Sequence, residues 1–316
     1  MAGDFVSQRM MLRTLVVMAT VFLGPLAAGE ERAPKPAFVA NDKGEYTFDT
    51  GVLRGTLRQG GKSQGLSSVT YVPTGAKLDR SMGILSYYRV FTTNKRYGVG
   101  AWDWPSTAKL RPDGAVQVTW PEAPDRPFEM GALYRWKDPQ TLDVETTVTA
   151  RQDLSGFESF LASYFDAAFP SPYVWTTSQA GETKTLFLLG EKSYGDWLMF
   201  TSKGTGQAID IIQDGRWKLE PNPVNWTILP RLAAPLCLRR GPASGLTVIL
   251  MARPMDCFAV ATPCEGESHY SLYLSLFGGN HKAGQSARAR TRFTVATNIS
   301  DEQVMDLYGR FVEDML

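Results

Sequence analysis

Residues 134–150, YRWKDPQTLDVETTVTA, decide the fold class. Beyond the Asp138-Pro139 break, Leu142, Val144 and Val148 fall on one side of an extended chain. Asp143, Glu145, Thr147 and Thr149 fall on the other. Strict alternation of this kind belongs to a strand with one face on a core and one in water. The preceding run, FEMGALYRW at 128–136, reads as its hairpin partner.

The same grammar repeats on both sides. YTFDTGVLRGTLR (46–58) holds two strands across Thr50-Gly51, SSVTYVPTGAKL (67–78) runs into a Pro-Thr-Gly turn, and ILSYYRVFTT (84–93) and AVQVTW (115–120) follow. Further strand signals are TLFLLG, WLMF, AIDIIQDG, WTIL, LTVILMA, CFAVATP, HYSLYLSLF and ARTRFTVAT. FESFLASYFDAAF (157–169) suits a helix or a strand by spacing, and strand is favoured. A helix is expected at the end, where Ser300 caps DEQVMDLYGRFVEDM, with acids in the first turn and a stripe of Val304, Leu307, Tyr308 and Phe311. Many strands without alternating helices exclude a parallel α/β fold, and no 20–50-residue repeat suggests a propeller. The expected fold is all-β: a large antiparallel two-sheet β-sandwich with a short C-terminal helix.

Residues 1–29 read as a signal peptide. Arg9 and Arg13 precede the apolar run LVVMATVFL, Gly24-Pro25 breaks it, and Ala27, Ala28 and Gly29 fit a cleavage site. The run is too short for a stable membrane span, so an exported, periplasmic or extracellular protein is expected. Residues 30–44, polar with two prolines, read as a flexible arm, and 45–316 as a single β-sandwich domain. The whole chain carries 33 Lys+Arg against 32 Asp+Glu. Removing the leader takes Asp4, Arg9 and Arg13 and leaves the two signs equal. A balanced chain excludes nucleic acid as a partner, because neutralising phosphates requires a basic surplus. Cys257 and Cys264 flank a short segment and admit a local disulfide in an oxidising compartment, with buried free thiols as the other reading.

No cofactor is expected. His269 and His281 are the only histidines, and neither HExxH nor CxxC occurs, which excludes a catalytic zinc site of the usual kind and leaves Ca²⁺ on carboxylates open. Gly60-Gly61-Lys62-Ser63 lacks the first glycine of a P-loop, since position 56 is Thr.

Three clusters carry candidate chemistry. EGESHYSLYLSLFGG (265–279), read as a strand, sets Glu267, His269, Ser271, Tyr273 and Ser275 on one face, where Glu267 and His269 could move protons. SYYRVFTTNKRYGVGAWDWP (86–105) gathers Tyr88, Arg89, Arg96, Tyr97, Trp102, Asp103 and Trp104: rings for the C–H face of a pyranose, with Arg and Asp for its polar groups. IIQDGRWKLEPNPVNW (211–226) adds Arg216, Trp217 and Trp226 on a proline-stiffened loop, and ESFLASYFD adds Glu158 and Tyr164. His269, Glu267, Arg96, Asp103 and Tyr88 are the expected catalytic residues. Arg89, Tyr97, Trp102, Trp104, Glu158, Tyr164, Arg216 and Trp217 are the expected substrate-binding residues.

YRWKDPQTLDVETTVTA resembles the central strands of the galactose mutarotase-like supersandwich, and SLYLSLFGGNHKAGQSARARTRFTV followed by ISDEQVMDLYGRF resembles that group's closing hairpin and helix. The resemblance implies a concave sheet facing a carbohydrate, in a lyase, hydrolase or epimerase. Mutarotases use a mid-chain His as acid and a late carboxylate as base. No His lies between residues 30 and 268 here, so that pair is not carried over. The resemblance also implies a lyase alternative, with Arg neutralising a uronate and Tyr or His as base. The sequence therefore leads to an exported carbohydrate-active protein acting on a poly- or oligosaccharide, the alternative being a non-catalytic carbohydrate-binding or envelope-associated sandwich.

Overall fold

Alternation at 142–149 has the expected result: Leu142, Val144 and Val148 are buried, while Asp143, Glu145, Thr147 and Thr149 are partly exposed. The computed structural model describes Met1 and residues 35–58, 65–178, 183–202 and 206–314. Phe128–Asp138 and Thr141–Ala150 form an antiparallel hairpin with Tyr134 opposite Val144 and a bulge between Trp136 and Asp138. On the outer face Arg292 grips Asp143 through two hydrogen bonds of 2.6 and 3.0 Å.

The larger of two sheets has 15 strands. Its order passes from Ser86–Thr92 through Leu154–Tyr164, Ser271–His281, Cys257–Pro263, Trp197–Ser202, Thr227–Gly241, Leu246–Ala252 and Ser286–Thr297 to the 128–150 hairpin. A sheet this wide folds over on itself. The buried Tyr87 hydroxyl meets Thr146 of the far half at 2.6 Å, and Phe128 packs edge-on against Phe157 with centroids 5.2 Å apart. Leu161 and Leu274 from one half share a core with Val144 and Phe293 from the other. The second sheet has 5 strands, from Phe38–Ala40 to Ala76–Lys77, and joins this core through Phe38 and Phe48, which meet Trp136. The fold is thus the expected all-β sandwich, and Asp301–Asp314 is the expected helix. Ser300 and Gln303 cap it reciprocally, side chain to backbone N–H in each direction.

Several local expectations are corrected. The pairing of Trp197–Ser202 with Thr227–Gly241 is parallel, in an otherwise antiparallel arrangement. AIDIIQDG is not a strand: Gly206–Gln213 is an α-helix, because Ala208, Ile211 and Ile212 are buried at helical spacing. Within the proposed arm, Phe38–Ala40 is a strand paired with Tyr46–Asp49, and Phe38 is buried. Cys237, Cys257 and Cys264 are all free and buried. Cys257–Pro263 is extended, and at about 3.3 Å per residue seven residues of strand hold Cys257 and Cys264 far beyond disulfide reach. The signal-peptide segment after Met1 and the Gly60-Gly61-Lys62-Ser63 fragment lie outside the described residues, and among the described residues no helix is long and apolar enough to cross a membrane.

Phe48 lies 5.7 Å from Phe38 and 4.9 Å from Trp136 between ring centroids, and so joins the two sheets. Phe48→Ala is expected to lower unfolding free energy by about 3–5 kcal/mol in urea titration. A loss under about 1 kcal/mol would show that the five-stranded sheet contributes little to the core.

Candidate functional site

Three neighbouring strands build the floor of the site. Along Leu154–Tyr164 and Ser271–His281, alternate residues turn away from the main core, which brings Phe160, Tyr164 and Tyr273 onto the opposite face. Phe160 and Tyr273 stack at 4.7 Å. In the adjoining Ser86–Thr92 strand, Val90 pairs with Ser159 and Tyr87 with Leu161, so that Tyr88 and Arg89 together oppose the single residue Phe160. This bulge allows two consecutive side chains to reach the same side of the sheet, which regular pleating forbids.

Residues 214–226 cross that face as a strap. Gly215 begins its turn with φ +101°, in the left-handed region that glycine occupies without strain. Arg216 then enters the sheet: Nη1 donates to Glu158 Oε2 at 3.0 Å, and Nε and Nη2 donate to Asp214 at 2.8–3.1 Å. Arg216 and Glu158 are both fully buried. Burial opposes the guanidinium charge, but Asp214 and Glu158 more than offset it and raise the Arg216 pKa. Burial pushes the Glu158 carboxyl up, and Arg216 pulls it back. With the strap pinned there, Trp217 and Trp226 pack edge-to-face on each other at 5.1 Å, and both contact Phe160.

Floor and strap enclose a cavity of about 350 Å³. Tyr88, Arg89, Phe160, Tyr164 and Tyr273 come from the strands, and Trp217, Asn222, Pro223, Val224 and Trp226 from the strap. Trp197 and His269 complete the wall, in edge-to-face contact at 5.2 Å. Glu267 holds His269 by accepting from its backbone N–H at 2.8 Å and bonding Nδ1 at 2.8 and 2.9 Å. A carboxylate on Nδ1 keeps the proton there and leaves Nε2 as the free basic nitrogen of the neutral ring. Burial pushes the Tyr273 phenol up to about 12 and Tyr164 well above its ordinary value, so both are neutral near pH 7 and serve as donors.

Of the residues expected from sequence, Tyr88, Arg89, Tyr164, Trp217 and His269 line the cavity. Glu267, Trp102 and Arg96 stand directly behind it. Trp102 lies flat on Tyr88 at 4.3 Å, and the Arg96 guanidinium is 5.9 Å from the Tyr88 centroid, with all three nitrogens donating to backbone carbonyls of Gly98, Val99 and Pro221. Glu158 and Arg216 are the buried clamp of the strap and do not face the cavity. Asp103 is exposed in the short turn Ala101–Asp103, away from the lining. Tyr97 and Trp104 belong to the core around Phe128, at 5.0 and 6.0 Å. Glu267 and His269 do not lie on the strand, which begins at Ser271. Tyr270, with φ +47°, breaks the alternation before it. Phe160 follows from the same alternation that places Glu158 and Tyr164 on one face, whereas nothing local marks Trp197, Asn222 or Val224. Among the described residues no group of three or more His, Cys, Asp or Glu is placed to hold a metal ion.

No protein-family model and no curated protein matches this sequence. Solved structures do match. A galactose mutarotase-like protein from Lactobacillus casei superposes with a TM-score of 0.51 at 10% identity, covering 80% of this chain and 100% of that one. An alpha-N-acetylgalactosaminidase from Bifidobacterium bifidum, a quadruple mutant, superposes with a TM-score of 0.53 at 12% identity, covering 85% of this chain and 39% of that one. The fold is that of the galactose mutarotase-like sandwich, in agreement with the sequence resemblance.

The clamp gives a direct test. Arg216→Met leaves Glu158 buried without its partner and is expected to cost about 3–5 kcal/mol of stability. Adding Glu158→Leu removes the stranded carboxylate and is expected to restore most of that loss in urea titration. A double variant no more stable than the single would show that the pair does not act as a unit.

Proposed function

We propose that this chain is an exported carbohydrate-active protein whose cavity seats a pyranose residue of an oligo- or polysaccharide. The observation that carries the reading is convergence: an imidazole with its own carboxylate, a buried guanidinium and a wall of indoles and phenols meet at one cavity of about 350 Å³. Trp197, Trp217, Trp226 and Tyr88 provide the flat apolar surfaces that a sugar's C–H face packs against, and Asn222 adds polar groups. The fold shared with a mutarotase-like protein is compatible with this reading, and the site residues supply the reason for it. Export rests on the leader at residues 1–29.

Among lyase, hydrolase and epimerase chemistry, the lining favours proton transfer at carbon. Glycoside hydrolysis ordinarily uses two carboxylates flanking the scissile bond, and among the described residues the lining contains none. His269, with Glu267 fixing its tautomer, is the base and, once protonated, the group that can return the proton, while the buried phenols Tyr164 and Tyr273 stay neutral and offer hydrogen bonds. Arg89 would stabilise negative charge developing on the substrate. The second reading is a non-catalytic carbohydrate-binding or envelope-associated protein. It is favoured by the exposure of His269, whose side chain is 49% accessible and so less shielded than a base enclosed with its substrate.

His269→Ala is expected to lower turnover on a polysaccharide panel, read as unsaturated product or anomer exchange, by about 10²–10⁴-fold with an unchanged melting temperature. Trp226→Ala is expected to weaken sugar binding by about tenfold or more through loss of a stacking surface. Sugar binding in calorimetry with no turnover by the wild-type chain would establish the non-catalytic reading. Equal turnover by wild type and His269→Ala would remove the imidazole from the mechanism.

A further inference from the structure

Arg89 is only 3% exposed, yet among the described residues no carboxylate pairs with it. Its guanidinium lies near the rings of Tyr88 and Trp217, at 4.9 and 5.1 Å. Nη2 donates to the Asn222 carbonyl at 2.7 Å and, more weakly, to the Tyr88 hydroxyl at 3.3 Å, both of them groups of the cavity wall. Nε and Nη1 are buried and have no partner. A buried guanidinium is ordinarily given a partner at each nitrogen, as Arg216 is here by Glu158 and Asp214, and Arg239 by the carbonyls of Phe169, Pro170 and Ser271. Ring contacts stabilise the charge but leave its N–H groups unanswered.

The surroundings intensify the imbalance. Arg96, just behind Tyr88, donates to the carbonyls of Gly98, Val99 and Pro221, and after burial the repulsion from Arg89 is the main influence lowering its pKa, opposed by Tyr88 and then by Glu220. The Trp217 and Trp226 indole nitrogens are buried and unpartnered too, so that every unpartnered buried polar atom on the lining residues is an N–H donor. Glu267, the carboxylate at His269, has both oxygens engaged there. The buried groups that the lining leaves without a partner are therefore all donors, and two of them belong to a charged guanidinium.

We propose that the sugar bound here is an acidic one, whose oxyanion supplies the countercharge that Arg89 lacks and replaces the long Tyr88 contact at Nη2. This rests on the carbohydrate reading above and narrows it from sugars in general to sugars bearing a carboxylate or an anionic ester. A neutral hexose would leave the guanidinium charge uncompensated, whereas an oxyanion gains a charge-assisted hydrogen bond from a guanidinium that is itself only 3% exposed.

Calorimetry with four matched probes tests this on the full chain: a uronate-bearing disaccharide, the same disaccharide with its carboxyl reduced to the alcohol, and a 6-phosphate and a 6-sulfate of the neutral sugar. An anionic probe is expected to bind about tenfold or more tighter than the reduced one, and to keep most of that margin between about 0.05 M and about 0.5 M NaCl, because a buried ion pair is screened less than an exposed one. Whether the carboxylate or an ester binds tighter identifies the source of the oxyanion. Arg89→Gln is expected to abolish the preference, so that the anionic and reduced disaccharides bind to the variant within about twofold of each other. Should Arg89→Gln fail to fold, Arg89→Lys, which keeps the charge but loses the planar fork, is expected to retain a preference reduced by about threefold or more. Equal affinity of wild type for charged and reduced disaccharides would overturn the proposal while leaving the carbohydrate reading intact. Binding of none of the four would overturn both.

Discussion

The ion cluster of Arg216 with Glu158 and Asp214 is the contact on which the site depends. Besides it, residues 214–226 are held across the sheet by aromatic packing and by the Pro221 and Asn222 carbonyls, which accept from Arg96 and Arg89, and five of the twelve residues lining the cavity belong to that strap. Placing a charged pair beneath a sheet is costly, and hydrophobic replacements frequently do as well for stability alone. Its value here is positional. The bidentate fork of Arg216 fixes the direction of the chain one residue before Trp217, and the edge-to-face array of Trp217, Trp226 and Phe160 follows from that direction.

A contrast between two arginines then becomes informative. Arg216 is saturated: its three guanidinium nitrogens donate to carboxylates, and it performs a structural task. Arg89, on the cavity side of the same region, is equally hidden but carries two unpartnered nitrogens. Where one chain neutralises a buried guanidinium with carboxylates and leaves another, on the wall of a sugar-sized hollow, without a countercharge, that countercharge is most economically the ligand's. His269 differs from both in having its own carboxylate and an unused ring nitrogen, the arrangement suited to accepting a proton rather than fixing a charge.

Much of the sandwich is legible in its sequence because sheet periodicity is local: Leu142, Val144 and Val148 declare the core face of their strand without reference to any other. The aromatic and arginine content of 86–105 is legible too, but not its sorting. Tyr88 and Arg89 reach the cavity through a bulge, which period-two reading treats as impossible, whereas Tyr97 and Trp104 go to the core around Phe128. Ile209 and Ile211 alternate as a strand would, yet burial at Ala208, Ile211 and Ile212 follows a helix. His269 shows the opposite error. Its polar neighbours suggest a strand face, and one left-handed residue, Tyr270, turns it into a loop that still arrives at the cavity. Asn222 and Val224 owe their position to a clamp eight residues or fewer away in sequence but anchored at Glu158, a long-range contact no local pattern encodes.

The most direct measurement is a crystal structure of the protein soaked with a uronate-bearing disaccharide. The expected result is density for one ring against Trp217 and Trp226, with its carboxylate within hydrogen-bond distance of Arg89 Nη2 and a ring carbon facing His269. Density for the sugar on another surface, or in the cavity with its carboxylate turned toward bulk water, would contradict the assignment of this hollow as an acidic-sugar site.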